Sequence, residues 1–119
     1  MNYELLLKNK IIGTTILEYA DPSMGVVGGK IIFNNISSPY KFLSDYCKEN
    51  NIKVNEDDLS NKWISTQDIP ELIVKSINGT IIKGQATCIL GFNEDGFQIE
   101  IIGIPHPEYD KLFPEYSHK

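Results

Sequence analysis

The stretch Leu17-Glu18-Tyr19-Ala20-Asp21-Pro22-Ser23-Met24-Gly25-Val26-Val27-Gly28-Gly29-Lys30-Ile31-Ile32-Phe33 joins two apolar runs through a link rich in special backbone residues. Pro22 fixes its own φ and Gly25 permits φ > 0, so Asp21 to Gly25 is a turn of specified shape. Asp21 is placed to bond backbone amides within the turn. Met24 is an apolar residue in a connection expected to be polar, and reads either as a contact or as a lid over the core. The runs on either side are strands, with Val26 to Phe33 as the second. Its Gly28-Gly29 pair has no side chains to pack and marks a bend, a bulge or a close approach, the bend being expected.

Working outward, Tyr3 to Lys8 and Ile11 to Tyr19 read as strands joined at Asn9-Lys10. Gly13 inside the second suggests a bulge or a close backbone approach. Downstream, Ser38 is an N-cap and Pro39 takes the first helical position, where a missing N–H costs nothing. Pro39, Phe42, Leu43, Tyr46 and Cys47 form the apolar stripe of this helix, and Lys41, Asp45, Lys48 and Glu49 its solvent side. Asn50-Asn51 ends it with a left-handed cap.

Ile52 to Ser60 reads as a solvated loop carrying the acid cluster Glu56-Asp57-Asp58, whose spacing is not that of an EF-hand. Trp63 is expected to anchor an irregular segment, and Ser65 to Asp68 resembles a capping box for one short turn before Pro70. Leu72 to Ile77 and Thr80 to Leu90 are strands about Asn78-Gly79, a type I′ hairpin signal. Phe97 to Ile104 completes a three-strand meander. Pro105-His106-Pro107 predicts extended chain or turns for the tail. Lys10 to Leu17 faintly echoes Thr80 to Leu90, as a duplication would, but two hairpins under the same constraints look alike and are the expected reading. The expected fold is α+β: a mostly antiparallel curved sheet or open barrel of two three-strand units, with one helix between them packed on the sheet. One domain over residues 1–119 accommodates it.

Composition narrows the function. The chain carries a net charge of −5, and all eleven basic residues are Lys. Without Arg it lacks the usual group for bidentate phosphate recognition and base readout, so neither nucleic acid nor an anionic membrane is an expected partner. A basic protein is. No run approaches the ~20 apolar residues of a membrane span, and the early acid Glu4 argues against a signal peptide, so the cytoplasm is the expected location. Cys47 and Cys88 fall in predicted regular elements and are expected to be buried, reduced thiols. With no Cys/His ligand spacing, no metal or other cofactor is expected.

No catalytic motif emerges: phosphate-binding loop, nucleophile elbow and zinc-protease signatures are missing from the sequence. His106, held between two prolines, is the one histidine suited to general-base chemistry, with Glu108 or Asp21 as partner, though an exposed turn residue is the expected reading. His118 lies one residue from the end. The candidate binding residues are Tyr19, Asp21, Met24, His106 and Tyr109, and no catalytic residue is assigned.

The string Glu18-Tyr19-Ala20-Asp21-Pro22-Ser23-Met24-Gly25-Val26 resembles a motif of a family of small bacterial proteins to which no activity is attached. The resemblance therefore carries over no functional residue. In composition, as an acidic chain whose only cations are Lys, the protein also resembles immunity proteins of bacterial toxin systems, which implies an inhibitor of a basic protein. The favoured expectation is a cytoplasmic binding protein without catalytic activity. The rival is a small-molecule-binding protein or small enzyme with a pocket between helix and sheet. A homo-oligomer built through exposed strand edges is compatible with either.

Overall fold

The computed structural model describes residues 2–116. In chain order the strands are β1 (Tyr3–Leu7), β2 (Lys10–Thr15), β3 (Tyr19–Asp21), β4 (Val26–Lys30) and β5 (Ile32–Phe33), followed by helix α1 (Pro39–Glu49). Then come β6 (Val54–Asp58), β7 (Trp63–Thr66), β8 (Leu72–Ser76), β9 (Ile81–Ile82), β10 (Ala86–Phe92), β11 (Gly96–Ile102) and helix α2 (His106–Leu112). All strand pairs are antiparallel and fall into two sheets, ordered β5-β2-β1-β8-β9 and β3-β4-β11-β10-β7-β6. The α+β class holds, without a closed barrel.

The strands are not grouped by halves of the chain, as two three-strand units would be. Each long run is cut where it passes from one sheet to the other. The run expected from Ile11 to Tyr19 stops at Thr15, because Leu17 takes a left-handed φ of +49° and buries its side chain. β3 then starts in the second sheet. The run from Val26 is cut at Ile31, and the run from Thr80 between Ile82 and Ala86. A single hydrophobic core draws on both sheets and both helices, including Leu5, Leu17, Leu43, Ile89, Ile99 and Tyr109.

Gly28 and Gly29 do not bend the chain; both lie inside β4. They are needed for close approach: a Cβ on Gly28 would sit 2.6 Å from the Ile99 carbonyl oxygen, and one on Gly29 would overlap the Glu18 carboxylate, Thr15 Oγ1 and the Leu17 backbone. Gly13 shows both features expected of it. Leu5 pairs with Gly13 and Leu6 with Ile11, leaving Ile12 as the extra residue of a bulge, and a Cβ on Gly13 would meet the Ile32 carbonyl at 2.6 Å.

The turns correct the sequence reading in a consistent way. The type I′ hairpin is at Lys8-Asn9, where φ is +52° and +67° between the paired residues Leu7 and Lys10. At Asn78-Gly79 only Gly79 has a positive φ, +88°. Gly79 N–H donates to the Ser76 carbonyl and Ser76 N–H to that of Thr80, which is the longer turn closed by a left-handed glycine.

Helix α1 is capped as expected. Ser38 Oγ accepts from Lys41 N–H, and Ile52 N–H reaches back to the Cys47 carbonyl around left-handed Asn51. Its buried face is Tyr40, Leu43, Ser44, Tyr46 and Cys47, rotated slightly from the expected stripe, and it packs on β7 and β10. The tail is helical, against the expectation of extended chain or turns. Pro105 is the N-cap of α2 and Pro107 sits in its first turn, where no intrahelical N–H bond is lost. Buried Tyr109 and Phe113 anchor it.

Ile52 to Ser60 contains strand β6, and the expected irregular segment at Trp63 is strand β7. Ser65 to Asp68 forms no capping box. Thr66 Oγ1 instead accepts from Ile89 N–H at 3.0 Å and Asp68 Oδ1 from Thr87 N–H at 2.9 Å, so their side chains serve β10.

Candidate functional site

The residues singled out in the sequence gather at one edge of the second sheet. Tyr19 and Asp21 lie in β3, Met24 in the one-turn 3-10 helix Pro22–Met24, and His106 and Tyr109 in α2. The link and the tail meet there: Ile104 N–H donates to the Gly25 carbonyl at 2.9 Å, and Tyr109 Oη donates to that of Val26 at 3.0 Å. Tyr109 is fully buried beside Phe113, and burial raises its phenol pKa above the ordinary value. Met24 is 67% exposed, so it is no lid. Asp21 is exposed and accepts from Ser23 Oγ at 2.8 Å, bonding no backbone amide of the turn. His106 is exposed at the start of α2, its ring 6.5 Å from that of Tyr109, and neither Glu108 nor Asp21 is hydrogen-bonded to it. These five residues share an edge, with no hydrogen bond between any two of them.

The opposite edge is different. β6 is the outermost strand, and alternation along it sends Glu56 and Asp58 to one face and Asp57 to the other. Asp57 faces α1, where its carboxylate accepts from Tyr40 Oη and from Ser44 Oγ at 2.7 Å. That pair fastens the helix to the sheet edge. Burial and then the Asp57 bond hold the Tyr40 phenol above its ordinary pKa.

Across the sheet, register lines up Asp58 with Trp63, Trp63 with Phe92, and Phe92 with Gly96. An acid, two aromatic rings and a glycine thus occupy one row. The rings stand 5.9 Å apart at 57°, and Trp63 Nε1 donates to Glu56 Oε1 at 3.0 Å, fixing the indole from the acidic strand. Asp58 accepts from the side-chain and backbone N–H groups of Asn61, at 2.8 and 3.3 Å, which lowers its pKa and keeps it charged. Together with the β6–β7 and β10–β11 turns these residues enclose a cleft of about 610 Å³, lined by Glu56, Asp58, Lys62, Trp63, Phe92 and Glu94 among others. Three carboxylates and one ammonium give it a negative balance.

Asn93, which also lines the cleft, ties it to the helix. Its Oδ1 accepts from Tyr40 N–H and its Nδ2 donates to Ser38 Oγ, both at 2.9 Å, tying the β10–β11 turn to the first turn of α1. The space between α1 and the β6–β7 turn, lined by Tyr40, Ser44, Leu59 and Lys62, is only about 240 Å³.

The chain matches no family model, no curated protein and no solved structure. Function must therefore be argued from geometry. No group of three or more metal-ligating side chains occurs among the described residues, and no helix there is long and apolar enough to cross a membrane. Cys47 is buried and Cys88 only half-buried, which corrects the expectation of two buried thiols; both are unpaired.

Sequence reasoning missed Trp63, Phe92 and Glu94 as site residues. No local signal marked the acids, because Asn55 to Asp58 is uniformly polar and shows no alternation until it is known to be a strand. Read as a strand, it separates Asp57 from Glu56 and Asp58 and hands one pair of carboxylates to a single face.

Proposed function

We propose that this protein is a binding protein of the cytoplasm that recognises a basic protein partner, in the manner of an inhibitor, through the cleft at Glu56, Asp58, Trp63, Phe92 and Glu94. The observation that carries this reading is the row in which Asp58 adjoins the Trp63–Phe92 pair, with Glu56 bonded to the indole and Glu94 lining the same cleft. Ring faces and carboxylates attract the same ligand class, the cationic side chain, and they reinforce each other where water is partly excluded. The charge of −5 favours encounter with such a partner at long range. A small-molecule site between helix and sheet has less support, since about 240 Å³ is below the usual ligand-pocket range of roughly 300–1,000 Å³.

Trp63 is the only tryptophan, so its emission reports on the cleft directly. Titration with a short mixed lysine–arginine peptide should shift that emission at low salt, and the response should weaken as salt rises and exposed charges are screened within about 10 Å at 0.1 M. A glutamate–aspartate peptide should do nothing. A Trp63 signal indifferent to the cationic peptide at low salt sinks the proposal.

A further inference from the structure

Resting on that reading of the cleft, we infer that its ligand group is an arginine side chain of the partner, the guanidinium stacked on the Trp63–Phe92 corner and paired with Glu94. Two features select guanidinium over ammonium. The first is the shape of the aromatic surface. Trp63 and Phe92 meet at 57° with centroids 5.9 Å apart, a two-walled corner and not a box. A planar, weakly hydrated cation can lie flat against one wall, whereas a compact ammonium keeps most of its water there.

The second feature is the state of the carboxylates. Glu56 is engaged by Trp63 Nε1, and Asp58 by both N–H groups of Asn61. Glu94 lines the same cleft and has no hydrogen bond or ion pair among the described residues. A carboxylate with both oxygens free matches the fork of an arginine, which a lysine cannot fill with two parallel bonds. Gly96, next to Phe92 in the row, adds no side chain over the ring, and an added Cβ there would meet nothing within 4 Å. On that side the two rings border a second space of about 180 Å³, lined also by Lys30, Asp95 and Gln98. Lys62 is the cleft's own cation; its backbone, not its ammonium, is what the β6–β7 and β10–β11 turns use.

The test compares two blocked peptides, one with arginines spaced by glycine and one with lysines at the same places, each titrated calorimetrically into the full chain. The arginine peptide should bind about five times more tightly or better. Trp63→Leu should abolish that preference, and Glu94→Gln should reduce it. Phe92→Leu keeps the fluorescent probe and should also narrow the gap, so the question stays answerable even where Trp63→Leu fails to fold. Equal binding of both peptides overturns the arginine assignment and leaves the basic-partner reading standing. Binding of neither at low salt overturns both. An arginine preference unchanged in Phe92→Leu and Glu94→Gln places the group elsewhere and also overturns it.

Discussion

The two edges of the six-stranded sheet use their residues in opposite ways. At the β3 edge, the conspicuous residues Gly25 and Tyr109 are consumed by packing. A Cβ on Gly25 would lie 2.6 Å from the Ile104 carbonyl, and the Tyr109 hydroxyl is committed to Val26. At the β6 edge the residues are ordinary, an acidic strand and an aromatic on each of the next two strands, yet Glu56, Asp58 and Glu94 line an open cleft. Charged residues on an edge strand also discourage pairing with other chains, so Glu56 and Asp58 protect the edge as well as line the cleft. The lesson is that unusual backbone marks where a chain must fit itself, while binding chemistry needs side chains left over after fitting.

The sharpest way to break this contrast is at Tyr109. If the β3 edge is structural, Tyr109→Ala should cost about 3–5 kcal/mol, the usual loss for a large buried aromatic. Tyr109→Phe should cost only ~1 kcal/mol, for the hydrogen bond to the Val26 carbonyl. Urea unfolding measures both. A Tyr109→Ala variant as stable as wild type would mean that α2 is not part of the core.

Next in size is Gly25→Ala, set against Gly79→Ala. Both glycines are left-handed, at φ +66° and +88°. Gly79 has open space around it, so alanine there should cost about 1 kcal/mol for the backbone alone. At Gly25 the approach of Ile104 adds a clash to the same backbone cost, and about 2 kcal/mol or more is expected. Equal unfolding midpoints for the two variants would show that the link and tail are not packed as described.

These particulars show why the fold was partly legible. Ser38-Pro39 and Asn50-Asn51 are local signals, and the helix they bound is where the sequence places it. Most strands were visible as apolar runs, β6 and β7 being missed as loop and irregular chain, but nothing local says that Leu17, Ile31 and Lys83 are where the chain changes sheets. That depends on which partner strand wins, a tertiary matter. The same holds for α2, whose prolines are compatible with a first helical turn and whose helix depends on burying Tyr109 and Phe113. The cleft was illegible for a related reason. Trp63 and Phe92 are far apart in sequence and meet only through the β7–β10 register. A reading that looked for special residues led to the β3 edge and not to this cleft.

A smaller effect separates the two thiols. Burial, and then the charge of Asp57, pushes Cys47 up to about 11, and burial first raises Cys88 as well. Because the fold favours the neutral thiol, this contribution to stability is complete below the ordinary value and is lost as pH rises through about 11. Near neutral pH a thiol reagent should modify native protein slowly, at half-buried Cys88 before buried Cys47, and denatured protein quickly at both. Cys47 reacting first would mean that α1 opens readily from the sheet.

The smallest expected effect is the one that tests the contrast from its other side. Met24 and Asp21 carry the look of a contact site, but Met24 is 67% exposed and Asp21 bonds only Ser23 beside it. Neither buries apolar surface nor satisfies a buried group. Met24→Ser and Asp21→Ala should therefore each leave the unfolding midpoint within about 0.5 kcal/mol of wild type, as surface changes do. Both should also leave the Trp63 response to the cationic peptide intact, because the two residues belong to the opposite edge of the sheet. Loss of stability in Met24→Ser would return that side chain to the core, against its exposure. Loss of peptide binding with stability unchanged would be more damaging. It would put the recognition surface on the shaped turn, and reduce the acidic row at β6 to nothing more than a guarded edge.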